Sequence, residues 1–339
     1  MIRKVHNSLL KRLSYLRLVT FVDEFGRERL GALVNENTIV DINLAYMLLM
    51  RRDGEPKPQS IADARVPPAV LEFLRAGQAA IKAAKDAFGY ARSVVATEGA
   101  KQSLGFRDLR TAKLLAPVPR PGKMICLGEN FVEHAREADR PLPAFPRGFF
   151  KVGTAITGPY DDIIYPKYVT QLDYEVEVAA VVGKRVKHVA KERALECVAG
   201  YTVFNDVSAR DVQFKEMATG MLLLGKNFDT LGPMGPHLVL VDEVEDPHNL
   251  EMTLLVNGEV RQRSNTRHMY FKFSDLIEYF SRITLEPGDI ISSGTPPGVA
   301  IGRKPDPTPY LLKPGDVVEA AVTGLGTIRN RVVSEPSLI

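Results

Sequence analysis

Apolar and polar positions alternate in short blocks over most of the chain, and only one long stretch repeats at helical spacing. From Leu16 to about Ala45, apolar runs separated by FGRE and NENT predict a small β-meander. Residues Pro67 to Ala96 place apolar side chains three and four apart and are rich in Ala, Lys and Leu, which predicts a helix. Pro117, Pro119, Pro121 and Gly122 then suit a connector, so a domain boundary is expected near Ala116. Beyond it, EVEVAAVVGK, MTLLVNGEV, DIISSGTP and DVVEAAV read as strands, the last two introduced by EPGD and KPGD turns. Helical patterns interrupt them at Ala190–Ala199 and Phe273–Ile283. The expected fold class is α+β: a smaller α/β N-terminal domain over 1–116 and a mixed, mostly-β domain over 117–339.

Composition removes several function classes. With 339 residues the chain is long enough for two unequal domains and a large core. Lys+Arg 44 against Asp+Glu 41 leaves +3, with no basic stripe, so nucleic acid is not expected as a partner. No run of ~18 apolar residues is present, so no membrane span is expected and the cytoplasm is the default compartment. Against that default, residues 1 to 22 carry Arg3, Lys4, Lys11, Arg12 and Arg17 with no acid before Asp23, as an organelle leader would, although a solvated basic end reads the same way. Cys126 and Cys197 sit in apolar stretches without a metal-binding spacing and read as buried reduced thiols. Neither a Gly-x-Gly-x-x-Gly turn, a P-loop nor a His-Glu-x-x-His helix occurs.

Candidate chemistry begins at LDYEVEVAAVVGK. Strand alternation puts Asp173, Glu175 and Glu177 on one face, and carboxylates leading into an apolar run call for a cation, which a hard divalent ion supplies as well as a solvated edge would. In FNDVSARDVQ, a short helix opened by Asn205 or Asp206 would set Asp206 and Arg210 on one face, either as site residues or as a capped surface pair. Gln213 follows, and Lys226 stands after an apolar run where an ammonium wants an anion, unless it is an ordinary loop lysine. His134 and Glu137 share a helical face and can form a general base or a surface ion pair. The Pro-rich stretch behind them makes 129–150 a candidate lid.

The order GENFVEHAREAD, FFKVGTAITGP, LDYEVEVAAVVGK, NDVSARDVQ, GKNFDTLGP, VNGEVRQ and SSGTPPGV resembles the fumarylacetoacetate hydrolase family over about residues 117–333. The resemblance implies one divalent ion per chain on Glu175, Glu177 and Asp206, a catalytic Lys226, substrate contacts from Arg210, Gln213 and Thr295, and a lid dyad of His134 and Glu137. An oxygen-only ligand set favours Mg²⁺ or Mn²⁺, and three carboxylates with one such ion leave a charge of about −1. A homodimer acting on a small oxo acid is implied as well. The leading expectation is hydrolysis of a C–C bond in an acylpyruvate-like or other β-diketo acid. Decarboxylation of an oxaloacetate-type acid and isomerisation or hydration in aromatic breakdown are the alternatives, and a metal-stabilised binding protein without catalysis is a third class. Where members often carry Arg, Leu or Lys before Asn-Tyr, this chain has Glu129, Asn130 and Phe131, an extra carboxylate near the mouth.

Overall fold

The computed structural model describes residues 15–96, 105–137 and 141–336, so Arg3, Lys4, Lys11 and Arg12 of the basic N-terminus lie outside it. The meander is formed by strands Arg17–Val22, Glu28–Asn35 and Thr38–Asp41. It stops short of Ala45, because Asp41 caps a helix, Ile42–Arg52, by accepting from the backbone N–H groups of Asn43 and Leu44 at 3.1 and 3.0 Å. The apolar run IVDINLA is compatible with either element, and the cap decides it. The long helix spans Val70–Val94 and bends at Gly77, whose φ of 68° is left-handed.

These N-terminal elements extend the sheet of the remainder. Arg17 and Leu18 pair with Val239 and Leu238, and the strand order across the sheet runs 107–108, 38–41, 28–35, 17–22, 232–240, 198–205, 176–182, 290–292, 124–128, 147–150. One core is shared: Leu18, Leu30, Phe73 and Phe88 pack in the same cluster as Ala179, Phe204, Met234 and Leu238. A second sheet, ordered 259–265, 251–256, 317–322, 326–334 and 163–165, faces the other side. Its hairpin turns at Asn257 and Gly258, both with positive φ. The strand Val176–Val182 lies between the two cores, with Val176, Val178, Ala180 and Val182 in one and Ala179 and Val181 in the other. Burial on both faces explains its unbroken apolar run. The architecture is a sheet-dominated α+β fold with a few helices.

Two local readings change. The helix expected from Asn205 or Asp206 begins only at Arg210, spanning Arg210–Met217. Strand Val198–Asn205 runs on to Asp206, whose N–H donates to the Glu175 carbonyl at 2.9 Å, and Ser208–Ala209 pairs with Leu172–Asp173. Asp206 and Arg210 therefore do not share a helical face. The segment expected as helix over Ala190–Ala199 is a 3₁₀ stretch, Lys191–Cys197, before the next strand takes over at Val198. Cys126 and Cys197 are free and buried. Among the described residues no helix is long and apolar enough to cross a membrane.

Candidate active site

Backbone register assembles the carboxylates. Val176 pairs with Asn205 across the antiparallel strands, which sets Glu175 beside Asp206, and alternation brings Glu177 to the same face. One oxygen from each of Glu175, Glu177 and Asp206 lies within 4.8 Å of the others. Asn205 Oδ1 accepts from the Glu175 N–H and Gln262 Oε1 from the Val176 N–H, both at 2.9 Å, so the turn into the strand is pinned by side chains.

Three buried carboxylates require nearby positive charge. Lys226 Nζ donates to Glu175 Oε2 and Asp206 Oδ2, each at 2.8 Å. Lys151 Nζ, fully buried, donates to Asp206 Oδ1 at 2.7 Å. Arg210 reaches Glu175 Oε1 with Nη2 at 2.7 Å, while its Nε donates to Asp173 Oδ2 at 2.8 Å and its Nη1 to Gln213 Oε1 at 3.0 Å. Burial opposes ionisation of Glu175, but Lys226 and Arg210 outweigh it and hold its carboxyl below the usual range. Glu177 goes the other way: burial, then the charges of Asp206 and Glu175, push it well above that range.

The residues fit a divalent cation. Among the described residues Glu177 Oε1 is buried without a hydrogen-bond partner, while its Oε2 accepts from the Gly294 N–H at 3.2 Å. Oxygens of Glu175 and Asp206 that already accept one hydrogen bond retain a second lone pair. An all-oxygen set of this kind suits Mg²⁺ or Mn²⁺.

Asp173, expected on the ligand face, turns away to Arg210 and to the backbone N–H groups of Ala300 and Ile301. Thr295 Oγ1 donates to the Val176 carbonyl at 3.1 Å and accepts from Gln262 Nε2 at 2.9 Å, tying its turn to the strand between the two glutamates. Gly225 lets the backbone of Lys226 approach: a Cβ there would sit 2.5 Å from Gln213 Cα. Lys151 was missed in the sequence, although it follows Phe149 and Phe150 much as Lys226 follows its apolar run. Gln262 and Gly298 carried no signal of their own.

The helix Val132–Glu137, within the segment expected as a lid, brings His134 Nδ1 to 3.2 Å from Glu137 Oε2. Glu137 also accepts from the Gly298 N–H, at 3.0 and 3.2 Å to its two oxygens. Glu129, left-handed at φ 57°, is met by Arg147 at 2.8 Å, so its carboxylate does not stand alone at the mouth.

The family model described as fumarylacetoacetate (FAA) hydrolase C-terminal matches residues 123–333. The chain is 45% identical over 269 residues to the protein named oxaloacetate tautomerase FAHD2A, mitochondrial, of Bos taurus, covering 79% of this chain and 81% of that one. Among solved structures it is similar to fumarylacetoacetate hydrolase from psychrophilic Exiguobacterium antarcticum, with 30% identity, 94% and 100% of the two chains covered and a TM-score of 0.72. Maleylpyruvate hydrolase from Sphingobium sp. SYK-6, solved in complex with manganese (II) ion and pyruvate, is 28% identical, with 95% and 100% covered and a TM-score of 0.65. With the carboxylate cluster, the fold and these matches in agreement, the chain belongs to the fumarylacetoacetate hydrolase family.

Proposed function

We propose that this chain is a divalent-metal-dependent enzyme that moves a proton next to the keto group of a small 2-oxo dicarboxylic acid of the oxaloacetate type, interconverting its keto and enol forms. The observation that carries the reading is the convergence of Glu175, Glu177 and Asp206 within 4.8 Å, and the His134–Glu137 pair, 3.2 Å apart, is assigned as the base that works beside them. The bovine relative named as an oxaloacetate tautomerase supports the substrate class.

A divalent ion held by Glu175, Glu177 and Asp206 would polarise the keto oxygen as a Lewis acid. Lys226, Lys151 and Arg210 supply three positive charges to a buried anionic site, and Arg210 offers the planar fork that suits a carboxylate. With Nδ1 facing Glu137, the His134 tautomer is assigned with its proton on that nitrogen, leaving Nε2 as the base. His134 takes a proton from the carbon beside the keto group, the C–H electron pair becomes the C=C bond as the C=O π pair moves onto oxygen, and the His134 imidazolium returns the proton to that oxygen. Glu137 stabilises the imidazolium formed in between. No attacking water is needed.

Hydrolysis of a C–C bond in an acylpyruvate-like acid, the leading expectation from sequence, is the second reading. The same Nε2 can take its proton from water, and the maleylpyruvate hydrolase structure supports it. The deciding experiment follows the enol absorbance of oxaloacetate with and without Mg²⁺ or Mn²⁺, alongside pyruvate release from acylpyruvates and from oxaloacetate. Metal-dependent enol decay without pyruvate supports tautomerisation. Pyruvate from acylpyruvates favours hydrolysis, pyruvate with CO₂ from oxaloacetate favours decarboxylation, and metal binding with no turnover leaves a binding protein.

A homodimer is proposed on the same footing, supported by exposed Phe150, Phe214, Met221, Leu223 and Leu224. Light scattering on the purified chain tests it. For the compartment, the cytoplasmic default stands against curated relatives named as mitochondrial, and imaging of the full chain with a C-terminal tag separates the two.

A further inference from the structure

Asp173 is fully buried, yet it does not share with Glu175 and Glu177 the face on which strand alternation set it. Its Oδ1 accepts from the Tyr174 N–H at 2.8 Å and the Ala300 N–H at 2.7 Å, and its Oδ2 from the Ile301 N–H at 3.1 Å and Arg210 Nε at 2.8 Å. Four donors satisfy the charge, and they come from two directions. Arg210 leads on to Glu175 at 2.7 Å. Ala300 and Ile301 belong to the loop 298–302, whose Gly298 N–H holds Glu137.

That loop is shaped around the dyad. Gly298 has φ +102°, and a Cβ on it would meet the Arg261 carbonyl oxygen at 2.4 Å, so only glycine brings this N–H to Glu137. A Cβ on Gly302 would lie 2.5 Å from Glu137 Cδ and 2.7 Å from its Oε1. Where the loop sits therefore decides where the Glu137 carboxylate sits, and with it the orientation of His134.

We propose that Asp173 is a positioning residue: through the 298–302 loop it places Glu137, and through Arg210 it places Glu175, so that lid dyad and carboxylate cluster share one buried anchor. The loop half rests on the dyad reading given above; the Arg210 half does not.

The test uses the full chain with oxaloacetate and Mg²⁺ for turnover and Mn²⁺ alone for calorimetry. Asp173→Asn turns an amide donor toward the Ala300 and Ile301 N–H groups or toward Arg210. It is expected to lower kcat by ~10- to 10²-fold, the scale of a small misplacement of a catalytic group, with KM changing less. Combined with Glu137→Gln it is expected to add less than its separate loss in kcat, because its effect through the loop acts on the same carboxylate. Its Mn²⁺ affinity is expected to fall as well, by up to the ~10- to 100-fold typical of an outer-shell partner. Gly302→Ala, whose added methyl meets the Glu137 side chain first, is expected to lower kcat while leaving Mn²⁺ affinity and Tm as they were. Full additivity of Asp173→Asn with Glu137→Gln, or wild-type kcat in Gly302→Ala, overturns the loop half. Wild-type Mn²⁺ affinity in Asp173→Asn overturns the Arg210 half. Wild-type kcat in Glu137→Gln itself shows instead that the dyad reading has failed. Should Asp173→Asn not fold, Asp173→Ser, which retains an acceptor, enters the same cycle.

Discussion

The carboxylate cluster and the lid are built in opposite ways. Glu175, Glu177 and Asp206 stand at the paired ends of two central strands, where backbone register, Asn205 and Gln262 fix them and both faces are packed. His134 and Glu137 stand on a helix of six residues, too short to be stable alone. It is held by buried Phe131, by Asn130 and by the Glu137–Gly298 bonds. Asn130 ties the lid base to Phe271 and Ser293, donating to their carbonyls at 3.0 and 2.8 Å. The difference separates two demands. A cation needs ligands that do not move, whereas an entrance must open, so the proposed proton-transfer pair would sit on the element of lower local stability.

Substitutions probe each side of this contrast. Asp206→Ala removes a ligand and leaves Lys151 and Lys226 facing less negative charge. Its turnover loss is expected to exceed that of any lid variant, measured at saturating Mg²⁺; a smaller loss would show that the cluster is not the centre of the reaction. Glu137→Gln comes next, with proton transfer reduced by ~10²- to 10⁴-fold, the usual worth of acid–base catalysis, at unchanged metal affinity. Unchanged turnover would reduce the dyad to a surface helix pair. Lys226→Met blurs the contrast, since Lys226 bonds both Glu175 and Asp206. Calorimetry should show Mn²⁺ affinity reduced ~10- to 100-fold together with weaker substrate binding. Loss of substrate binding alone would mean that the ammonium serves the substrate's anion, as the sequence suggested.

The smallest effect on activity is expected away from both regions. His237 is buried on strand Gly232–Leu240, neither ring nitrogen has a hydrogen-bond partner among the described residues, and burial, with the charge of Arg17, pushes its pKa down to about 3. Below its ordinary value of 6.5 the unfolded imidazole binds a proton that the folded one refuses, so stability present above pH 6.5 is lost as pH falls toward about 3. His237→Gln should flatten Tm against pH across that window and leave turnover near neutral pH alone. An unchanged slope would assign the acid loss to other groups.

Much of this was legible in the chain because some signals are local and others are not. Alternation in YEVEVAAVV follows from neighbouring residues alone, and that strand is present, whereas MTLLVNGEV, read as a single strand, turns back at Asn257 and Gly258. Asp173 was misassigned because alternation cannot report that the strand breaks between Asp173 and Val176, nor that Ala300 and Ile301 arrive from far along the chain. Asp206 was set at the start of a helix that begins four residues later, since strand pairing of Ser208–Ala209 with Leu172–Asp173 overrides the local capping signal. Lys151 shows a different limit. Its apolar setting was visible, but its partners lie 55 and 75 positions away, and only the fold brings them together.

The central claim, that Glu175, Glu177 and Asp206 hold one catalytic divalent ion while the lid does not, is tested most directly by Mn²⁺ titration followed by electron paramagnetic resonance. Wild-type protein and Glu137→Gln are expected to bind one ion per chain with similar affinity, and Glu177→Gln, which removes the charge from the buried carboxylate with an unpartnered oxygen, is expected to lose that site. Undiminished binding in Glu177→Gln, or a site lost in Glu137→Gln, would contradict it.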